Sequence, residues 1–370
     1  MLSDNLLYRW WKNIDKTIFL LIVLLFSLGL FFSLVSTSLI ASNKLDTNNY
    51  FFFFKHLTYI FLGIAILIFF SSLSEKNLFK FSILFFFISL FLLILVPIFG
   101  TEVKGSKRWL DLFFLPRFQP IELVKPFMII FIATILSSEK NFHIYYKYFI
   151  SFIVIVPISF LLMTQPDIGQ TLLIFLLWLT LVFISGISLM VFLTFFSISL
   201  GSLTYMVFFI PKFKYIRSRI DSFLNPATGT HGAQAEKSVD AISSGGFFGK
   251  GIGEGTLKNK VSEAHTDFII SVISEEFGVV VIILLMVIFL IFIYSVFKKI
   301  YLEENEKIKL VLVGAITLIV MQALIHIGVN IKLFPTTGMT LPFLSYGGSS
   351  IVGVSILAGI ILNLTKRKIH

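Results

Sequence analysis

The sequence predicts an all-α protein that crosses a membrane about ten times. Of its 370 residues, 57% are hydrophobic and only 14% are charged, whereas a soluble globular domain averages about 25% charged residues. The apolar residues fall in long runs, and a spanning helix needs about 20 mostly apolar residues in succession. Composition and run length together exclude a water-soluble globule.

Ten apolar runs are candidate spans. The first run is longer than the core of a signal peptide, so we expect it to be retained as a span. The fifth and sixth runs are separated only by residues 164–168, which predicts a tight helical hairpin. The eighth run is long enough to tilt or to extend past the bilayer. The predicted spans are 17–41, 56–73, 78–99, 119–138, 147–163, 169–185, 188–210, 267–297, 308–331 and 343–365.

The distribution of Lys and Arg favours cytoplasmic termini. With both termini inside, the inner segments carry 14 Lys and Arg and the short outer segments carry 7, as the positive-inside rule requires. The long segment 211–266 adds 8 to the outer side, but long loops obey the rule weakly. This orientation places the polar segments 100–118, 164–168, 211–266 and 332–342 on the outer face.

The formal net charge of +10 does not indicate a nucleic-acid partner. Basic residues that flank spans orient the helices and meet lipid phosphates. The sequence has no Lys/Arg-rich tail and no aromatic RNA-binding motif. It also contains no Cys, which excludes disulfides and thiol chemistry.

The segment 211–266 is the only insertion of soluble size in what we predict to be a single membrane domain, 1–370. Its mixed apolar and glycine content predicts an ordered, re-entrant outer loop between the seventh and eighth helices. The glycine-rich run 245–255 fits neither a dinucleotide-binding fingerprint nor a phosphate-binding loop of nucleotide hydrolases. Successive glycines let backbone N–H groups approach an anion closely, although a flexible turn is an equal alternative.

Asp267 lies where this loop meets the eighth predicted span. A carboxyl group at the edge of the bilayer is partly desolvated, which suits a general base. The alternative is a structural role, because Thr266 or Asp267 would serve well as a helix N-cap. Glu275 would lie about 12 Å deeper on the same helix, where carboxylates usually face a cavity or a partner.

Glu122 and Lys125 lie three residues apart near the outer end of the fourth span, so they can pair on one helix face. Such a pair can be purely structural, whereas an unpaired cation there would suit an anionic substrate. Arg108 lies just outside the bilayer beside Trp109, a pattern that also suits an interfacial anchor. Asp167 is predicted to cap the sixth span.

Three further residues complete the set of candidates. Lys332 lies in an outer turn, and Ser349 lies in a run of small residues that opens the last span. Small residues allow close helix packing, or they could line a groove for a lipid chain. His265 lies near Asp267, so a divalent cation, Mg²⁺ or Mn²⁺, bridged to a substrate phosphate is left open. The sequence contains no metal-binding His or Cys motif, and we expect no organic cofactor.

Taken together, these segments resemble the SEDS family of shape, elongation, division and sporulation proteins. The likeness covers nearly the whole chain and follows the family's order. The matching motifs are SKRW at 106–109, FQPIEL at 118–123, QPD at 165–167, the glycine-rich run at 245–255, EAHTDFI at 263–269 and PFLSYGGSS at 342–350.

The resemblance implies a peptidoglycan glycosyltransferase that polymerises lipid II on the outer face of the bacterial cytoplasmic membrane. It implies Asp267 as the catalytic residue and functional importance for Glu122 and Lys125. Arg108, His265, Lys332 and Ser349 are predicted, with that pair, to bind substrate. The expected partners are lipid II, a class B penicillin-binding protein acting as septal transpeptidase, and other membrane proteins of the division machinery.

Residues 263–267 and 337–342 favour the division type of this family over the elongation type. Two other classes of function stay open. A lipid II flippase would need polar groups along a whole translocation path, whereas here they cluster outside and thin out inward. A non-catalytic scaffold that recruits the transpeptidase would not explain why acids and bases converge on one face.

Overall fold

A computed structural model of the chain describes residues 6–37, 50–103, 105–112, 115–138, 143–225, 230–257, 261 and 263–366. Within these residues the chain is a bundle of α helices with three short strands at one end. The helices are α1 Leu6–Asn13, α2 Lys16–Thr37, α3 Phe51–Ser72, α4 Glu75–Phe99, α5 Pro120–Leu136, α6 Ile144–Thr164, α7 Ile168–Ile184, α8 Leu189–Phe209, α9 Lys214–Leu224, α10 Thr230–Gly245, α11 Ile269–Leu302, α12 Glu306–Asn330 and α13 Gly348–Leu364.

The predicted all-α membrane fold is confirmed, but a count of ten full spans is not. In the described part of the chain, seven helices are long and apolar enough to cross a membrane, namely α2, α3, α4, α6, α8, α11 and α12. Three other predicted spans, 119–138, 169–185 and 343–365, coincide with the 17-residue helices α5, α7 and α13. Residues 38–41 of the first predicted span lie outside the described residues.

Two of the three 17-residue helices, α5 and α13, lie at the centre of the bundle. Fifteen of the 17 residues of α13 are buried, whereas Val207 alone is buried in α8. An apolar helix with so much exposed surface faces lipid. Close contact between α13 and α3 depends on small residues, because a Cβ at Gly63 would lie 2.5 Å from Ser355 Oγ. The small residues of α13 thus serve close helix packing.

The segments that connect the helices gather at two opposite ends. At the end that carries α1, Trp10 Nε1 donates to Ser71 Oγ at 2.7 Å, and Asn363 Nδ2 donates to the carbonyl oxygen of Leu73 at 2.7 Å. The opposite end, called the outer end below, carries an antiparallel sheet of β1 Thr101–Val103, β2 Ser106–Leu112 and β3 Leu115–Phe118 in the order β1-β2-β3. The α6–α7 turn, a tight hairpin as predicted, also lies there.

The segment 211–266 is largely built rather than linker-like, although residues 226–229, 258–260 and 262 lie outside the described part. It contains a 3₁₀ turn, Pro211–Phe213, followed by α9 and α10. Phe213 and Ile216 pack with Met163 of α6 and Val207 of α8 in one apolar cluster. A second cluster joins Ala241 of α10 to the first turn of α11. Both helices of the segment are therefore anchored to the bundle by apolar contacts.

The eighth predicted span, 267–297, is not one continuous helix. Gly278 interrupts α11 with φ 80° and ψ 178°, a conformation that is essentially restricted to glycine. A Cβ there would lie 2.2 Å from the carbonyl oxygen of Phe247. The α11 backbone is tied to the glycine-rich run on both sides of the break, since the N–H of Lys250 donates to Glu275 O at 2.9 Å and that of Val279 to Gly246 O at 3.0 Å.

The glycine-rich run does cradle anions, and these anions are side chains of the protein itself. The N–H of Leu257 donates to Glu275 Oε1 at 2.8 Å, and the N–H of Gly253 donates to Glu276 Oε2 at 2.5 Å. Lys250 Nζ lies 3.7 Å from Glu275 Oε1. Both carboxylates are almost fully buried, so these charge-assisted bonds offset their desolvation. The two acids near the break thus serve the architecture of the outer end.

We expect Gly278→Ala to destabilise the protein by about 3 kcal/mol or more, because the new methyl group adds a steric clash to a strained backbone conformation. Thermal unfolding in detergent measures the effect. Gly201→Ala is the matched control, since a Cβ at this position in α8 meets nothing within 4 Å and alanine favours a helix. Equal unfolding midpoints for the two variants would contradict the assigned break.

Candidate functional site at the outer end

Asp267 lies in a turn just before α11 and does not cap it. The N–H groups of Thr266 and Asp267 both donate to Glu263 O at 3.1 Å. The helix itself begins at Ile269, with Phe268 in the N-cap position and no hydrogen bond from a capping side chain. The alternative in which Thr266 or Asp267 is the N-cap is therefore wrong, because the turn ends one residue after Asp267.

The side chain of Asn330, the last residue of α12, fixes this turn. Asn330 is fully buried, and its Nδ2 donates to the backbone carbonyl oxygens of Asp267 at 3.1 Å and of His326 at 2.8 Å. Its Oδ1 accepts the N–H of Ser271 at 3.3 Å. One amide group thus ties the turn and the start of α11 to the end of α12.

The segment between α12 and α13 holds the turn from the other side. Ser345 Oγ donates to Thr266 O at 2.7 Å and accepts the N–H of Leu341 at 2.8 Å. The N–H of Tyr346 donates to His265 O at 3.1 Å. Backbone atoms on both sides of Asp267 are therefore held by hydrogen bonds, which fixes the origin of its side chain.

The structure brings Asp267 and Arg108 together at Gly338. A Cβ at Gly338 would lie 3.6 Å from Asp267 Oδ2 and 3.9 Å from Arg108 Nη1. Gly338 has φ 73°, a left-handed conformation that glycine adopts readily. A carboxylate and a guanidinium, predicted from segments far apart in the sequence, thus face the same small space at the outer end.

Arg108 is held in place by the turn between α6 and α7. Its Nε donates to Gln165 O at 3.1 Å, its Nη2 donates to Pro166 O, and Nε lies 3.7 Å from Asp167 Oδ2. Its side chain is only 15% exposed, so it is more than an interfacial anchor. These bonds use Nε and Nη2 and direct Nη1 to the vicinity of Gly338.

Asp167 has the predicted capping role and an additional one. Its Oδ1 accepts the N–H of Gln170 at 3.4 Å at the start of α7, and its Oδ2 accepts Gln119 Nε2 at 3.1 Å. Burial raises the pKa of the Asp167 carboxyl above its ordinary value, although the charge of Arg108 opposes the shift. This acid therefore caps a helix and positions Arg108.

Glu122 and Lys125 form the paired arrangement, inside the bundle. Lys125 Nζ lies 2.7 Å from Glu122 Oε1, which also accepts Gln170 Nε2 at 2.9 Å. Lys125 is 2% exposed and Glu122 is 4% exposed. The cavity beside them is about 10 Å³, room for about one water molecule. In this conformation the pair is buried away from any substrate headgroup, and its predicted role in substrate binding stays a prediction.

A chain of hydrogen bonds connects this pair to the outer segments. Lys125 Nζ donates to Gln322 Oε1 at 3.4 Å, and Gln322 Nε2 donates to Thr340 O at 3.1 Å. Thr340 Oγ1 lies 2.6 Å from Ser350 Oγ, in the first turn of α13. Thr340 is two residues from Gly338, so the buried pair supports the segment that faces Asp267.

The remaining predicted residues surround this centre. The ring of His265 lies 5.6 Å from those of Phe52 and Tyr346, centroid to centroid. Lys332 Nζ lies 3.2 Å from Glu236 Oε1 of α10. Ser349 is buried in the first turn of α13, next to Ser350. The structure alone does not test their predicted contacts with substrate.

Sequence reasoning missed three amide side chains, those of Gln170, Gln322 and Asn330. Each lies within an apolar helix and is at least 96% buried. Polar side chains inside membrane spans are expensive and usually functional or paired, and that signal could have singled them out. Among the described residues, no three His, Asp or Glu side chains cluster in a way that could hold a metal ion.

A bundle of long apolar helices, with an acid and a guanidinium close together at one end, defines a multi-pass membrane protein. The chain belongs to the FtsW/RodA/SpoVE family of cell cycle proteins, whose family model matches residues 15–370. The predicted SEDS resemblance is thereby confirmed.

Curated relatives and solved structures agree over nearly the full length. Two relatives named "Probable peptidoglycan glycosyltransferase FtsW" are 30% identical (Caulobacter vibrioides; 97% of this chain and 91% of the relative) and 33% identical (Coxiella burnetii; 95% of each). A solved peptidoglycan synthase complex with coordinated polymerization and crosslinking contains a chain that matches with TM-score 0.78 and 25% identity, covering 95% of this chain and 97% of that one. The rod shape determining protein RodA of Thermus thermophilus shares the fold, with TM-score 0.70 and 24% identity over 96% of this chain and 97% of RodA.

We expect Lys125→Met to lower the free energy of unfolding by about 3–5 kcal/mol, because it leaves the Glu122 charge buried without its partner. The double variant Glu122→Leu/Lys125→Met should recover most of this loss. Lys309→Met is the matched control. Lys309 follows Glu306 by three residues, as Lys125 follows Glu122, and its Nζ lies 2.9 Å from Glu306 Oε1, but this pair is exposed. Exposed pairs contribute at most about 1 kcal/mol. Thermal unfolding of the three variants measures these effects. An unchanged unfolding midpoint for Lys125→Met would refute a structural role for the pair of Glu122 and Lys125.

Proposed function

We propose that this chain is a peptidoglycan glycosyltransferase that polymerises lipid II into glycan strands on the outer face of the cytoplasmic membrane. The enzyme class rests on family membership and on full-length likeness to relatives named for that activity. The observation that carries the site assignment is the convergence of Asp267 Oδ2 and Arg108 Nη1 on Gly338.

The two groups match what the reaction requires. The acceptor sugar hydroxyl attacks the anomeric carbon of the donor, and Asp267 takes up the proton that the hydroxyl loses. The bond from that carbon to the diphosphate oxygen breaks, so undecaprenyl diphosphate leaves and the configuration inverts. Arg108 stabilises the negative charge that develops on the leaving group. One carboxylate suffices, because the diphosphate leaves without a general acid.

The flippase alternative finds less support. The polar network from Gln170 through Glu122 and Lys125 to Gln322 does extend inward, but its groups bond to one another. The adjoining cavity of about 10 Å³ is far too small for a sugar headgroup. The network is therefore better explained as support for the outer segment than as a translocation path.

The likeness to proteins named FtsW favours septal synthesis over elongation. We propose, as partners, a class B penicillin-binding protein and other membrane proteins of the division machinery, because the similar synthase complex couples polymerization to crosslinking. Both termini would be cytoplasmic, in line with the distribution of Lys and Arg.

A tagged copy of the protein should concentrate at midcell, whereas a copy spread along the sidewall would favour the elongation type.

A divalent cation is a further proposal. Mg²⁺ in proteins is generally bound by one or two carboxylates together with substrate phosphates. We propose that such an ion would bind together with the diphosphate of the substrate, and that a carboxylate oxygen of Asp267 would help to hold the ion. Polymerisation should then stop with EDTA and resume with added Mg²⁺ or Mn²⁺, and full activity in EDTA would overturn the proposal.

We expect Asp267→Asn to lower the rate of lipid II polymerisation by about 100-fold or more, because a positioned general base contributes about that factor. The assay uses the purified chain with its cognate transpeptidase, labelled lipid II and a divalent cation, with products separated on a denaturing gel. Asp111→Asn is the matched control, since Asp111 lies on the outer sheet and is 51% exposed. Equal glycan ladders from wild type and Asp267→Asn would support the polymerase activity but refute Asp267 as its general base.

A further inference from the structure

Two guanidinium groups at the outer end share one carboxylate. Arg108 Nε lies 3.7 Å from Asp167 Oδ2, and Arg219, on α9, interacts electrostatically with both Asp167 and Arg108. Burial and the charge of Arg108 together lower the pKa of Arg219. Two like charges in a partly desolvated place repel one another, and Asp167 offsets only one of them, so an anion bound between the two guanidiniums would relieve the repulsion.

The same small region contains hydrogen-bonding groups that the protein does not use. Arg219 Nη1 donates to Thr336 O at 3.4 Å, and Gln165 O accepts from Arg108. Yet Gln165 Nε2, Thr336 Oγ1 and Thr337 Oγ1 are buried and make no hydrogen bond within the described protein. An amide N–H₂ and a hydroxyl are donors, and a buried donor without an acceptor costs about 1–3 kcal/mol. Three such groups on the segments that hold the two guanidiniums suit a ligand rich in acceptor oxygens.

The segment 336–338 joins this region to the reactive centre. Thr336 O holds Arg219, and a Cβ at Gly169 of α7 would lie 2.8 Å from Thr337 Cβ. The next residue, Gly338, separates Arg108 Nη1 from Asp267 Oδ2. A group bound to both guanidiniums would therefore contact Arg108, whose Nη1 faces the same space as the general base, and a leaving group must lie near that base.

We infer that Arg108 and Arg219 form a subsite for the diphosphate of a polyprenyl-linked sugar, with Gln165, Thr336 and Thr337 as additional donors. Guanidinium groups bind phosphate oxygens in pairs of parallel hydrogen bonds. Helix α9 then has a defined purpose, which is to carry Arg219 to the outer end. The inference rests on the proposed function and adds Arg219 to it as a residue that binds the leaving group.

Neighbouring side chains are consistent with this assignment. Tyr215, one turn before Arg219 on α9, donates its hydroxyl to Met163 O at 3.3 Å, and burial raises its pKa to about 12. It therefore stays a neutral donor that adds no negative charge. Arg219 also lines a small cavity together with Lys332 and Thr336, which places a third cation at the edge of the subsite.

The test is a binding measurement that does not depend on catalysis. Purified full-length chain in detergent is titrated with farnesyl diphosphate, farnesyl monophosphate and farnesol. We expect the diphosphate to bind most tightly, and Arg219→Gln to weaken it about tenfold or more without changing the weak binding of farnesol. Arg219→Lys should lie in between, because lysine keeps the charge but loses the paired donors.

Arg217→Gln is the matched control, since Arg217 lies two residues away on the same helix, is 58% exposed and pairs with Asp221. It should bind farnesyl diphosphate like wild type, and thermal unfolding checks that all variants are folded. Equal affinities for Arg219→Gln and wild type, or equal losses in the two Arg variants, would overturn the subsite. Glycan synthesis tests the proposed function separately: binding that depends on Arg219 without any glycan ladder would refute the function and keep the subsite.

In the polymerisation assay, Arg219→Gln should raise the apparent KM for lipid II about tenfold or more, because the diphosphate is bound before the reaction. It should also lower kcat, because the negative charge on the leaving group grows in the transition state. If the folded Arg219→Gln variant has unchanged KM and kcat, Arg219 does not bind the leaving group, whatever its effect on the binding of farnesyl diphosphate.

Discussion

The amide side chain of Asn330 is the interaction on which the outer end depends. Inside a membrane bundle a polar group must find partners within the protein, and this amide finds them in Asp267, His326 and Ser271. Those bonds place the turn that bears Asp267 at a fixed distance from the end of α12. The position of the proposed base is thus set by a residue that has no part in the chemistry.

Charges in the described part of the chain follow two different arrangements. Glu122 and Lys125 neutralise one another. Glu276 accepts a backbone N–H of the glycine-rich run, and Glu275 accepts that of Leu257, just after the run. At the outer end, in contrast, two guanidiniums share one buried carboxylate. Neutralised charges support a framework, whereas an unbalanced cluster next to a carboxylate is suited to an anionic leaving group.

Much of the fold follows from the sequence alone, because a helix needs about 20 mostly apolar residues in succession to cross the bilayer. The α6–α7 hairpin was predictable in this way. The break at Gly278 was not, since hydropathy does not change across it. It depends on the approach of Phe247 O to within 2.2 Å of a would-be Cβ, which is a tertiary contact.

The site was predictable in its residues but not in its geometry. Motifs singled out Asp267 and Arg108, yet only the folded chain shows that both face Gly338. The buried pair of Glu122 and Lys125 was one of two arrangements that the spacing allowed. Arg219 carried no distinguishing pattern, because it is one of several basic residues in the segment 211–266, and its significance comes from what surrounds it.

In the proposed mechanism, Asp267 must lie at an accessible site on the outer face of the membrane. The chain contains no Cys, so a single introduced thiol reports without background. In intact spheroplasts, a membrane-impermeant maleimide should label Asp267→Cys, whereas Tyr301→Cys, 81% exposed at the opposite end of α11, should be labelled only after the membrane is opened. Labelling of Tyr301→Cys from outside, with Asp267→Cys reached only after permeabilisation, would contradict the account.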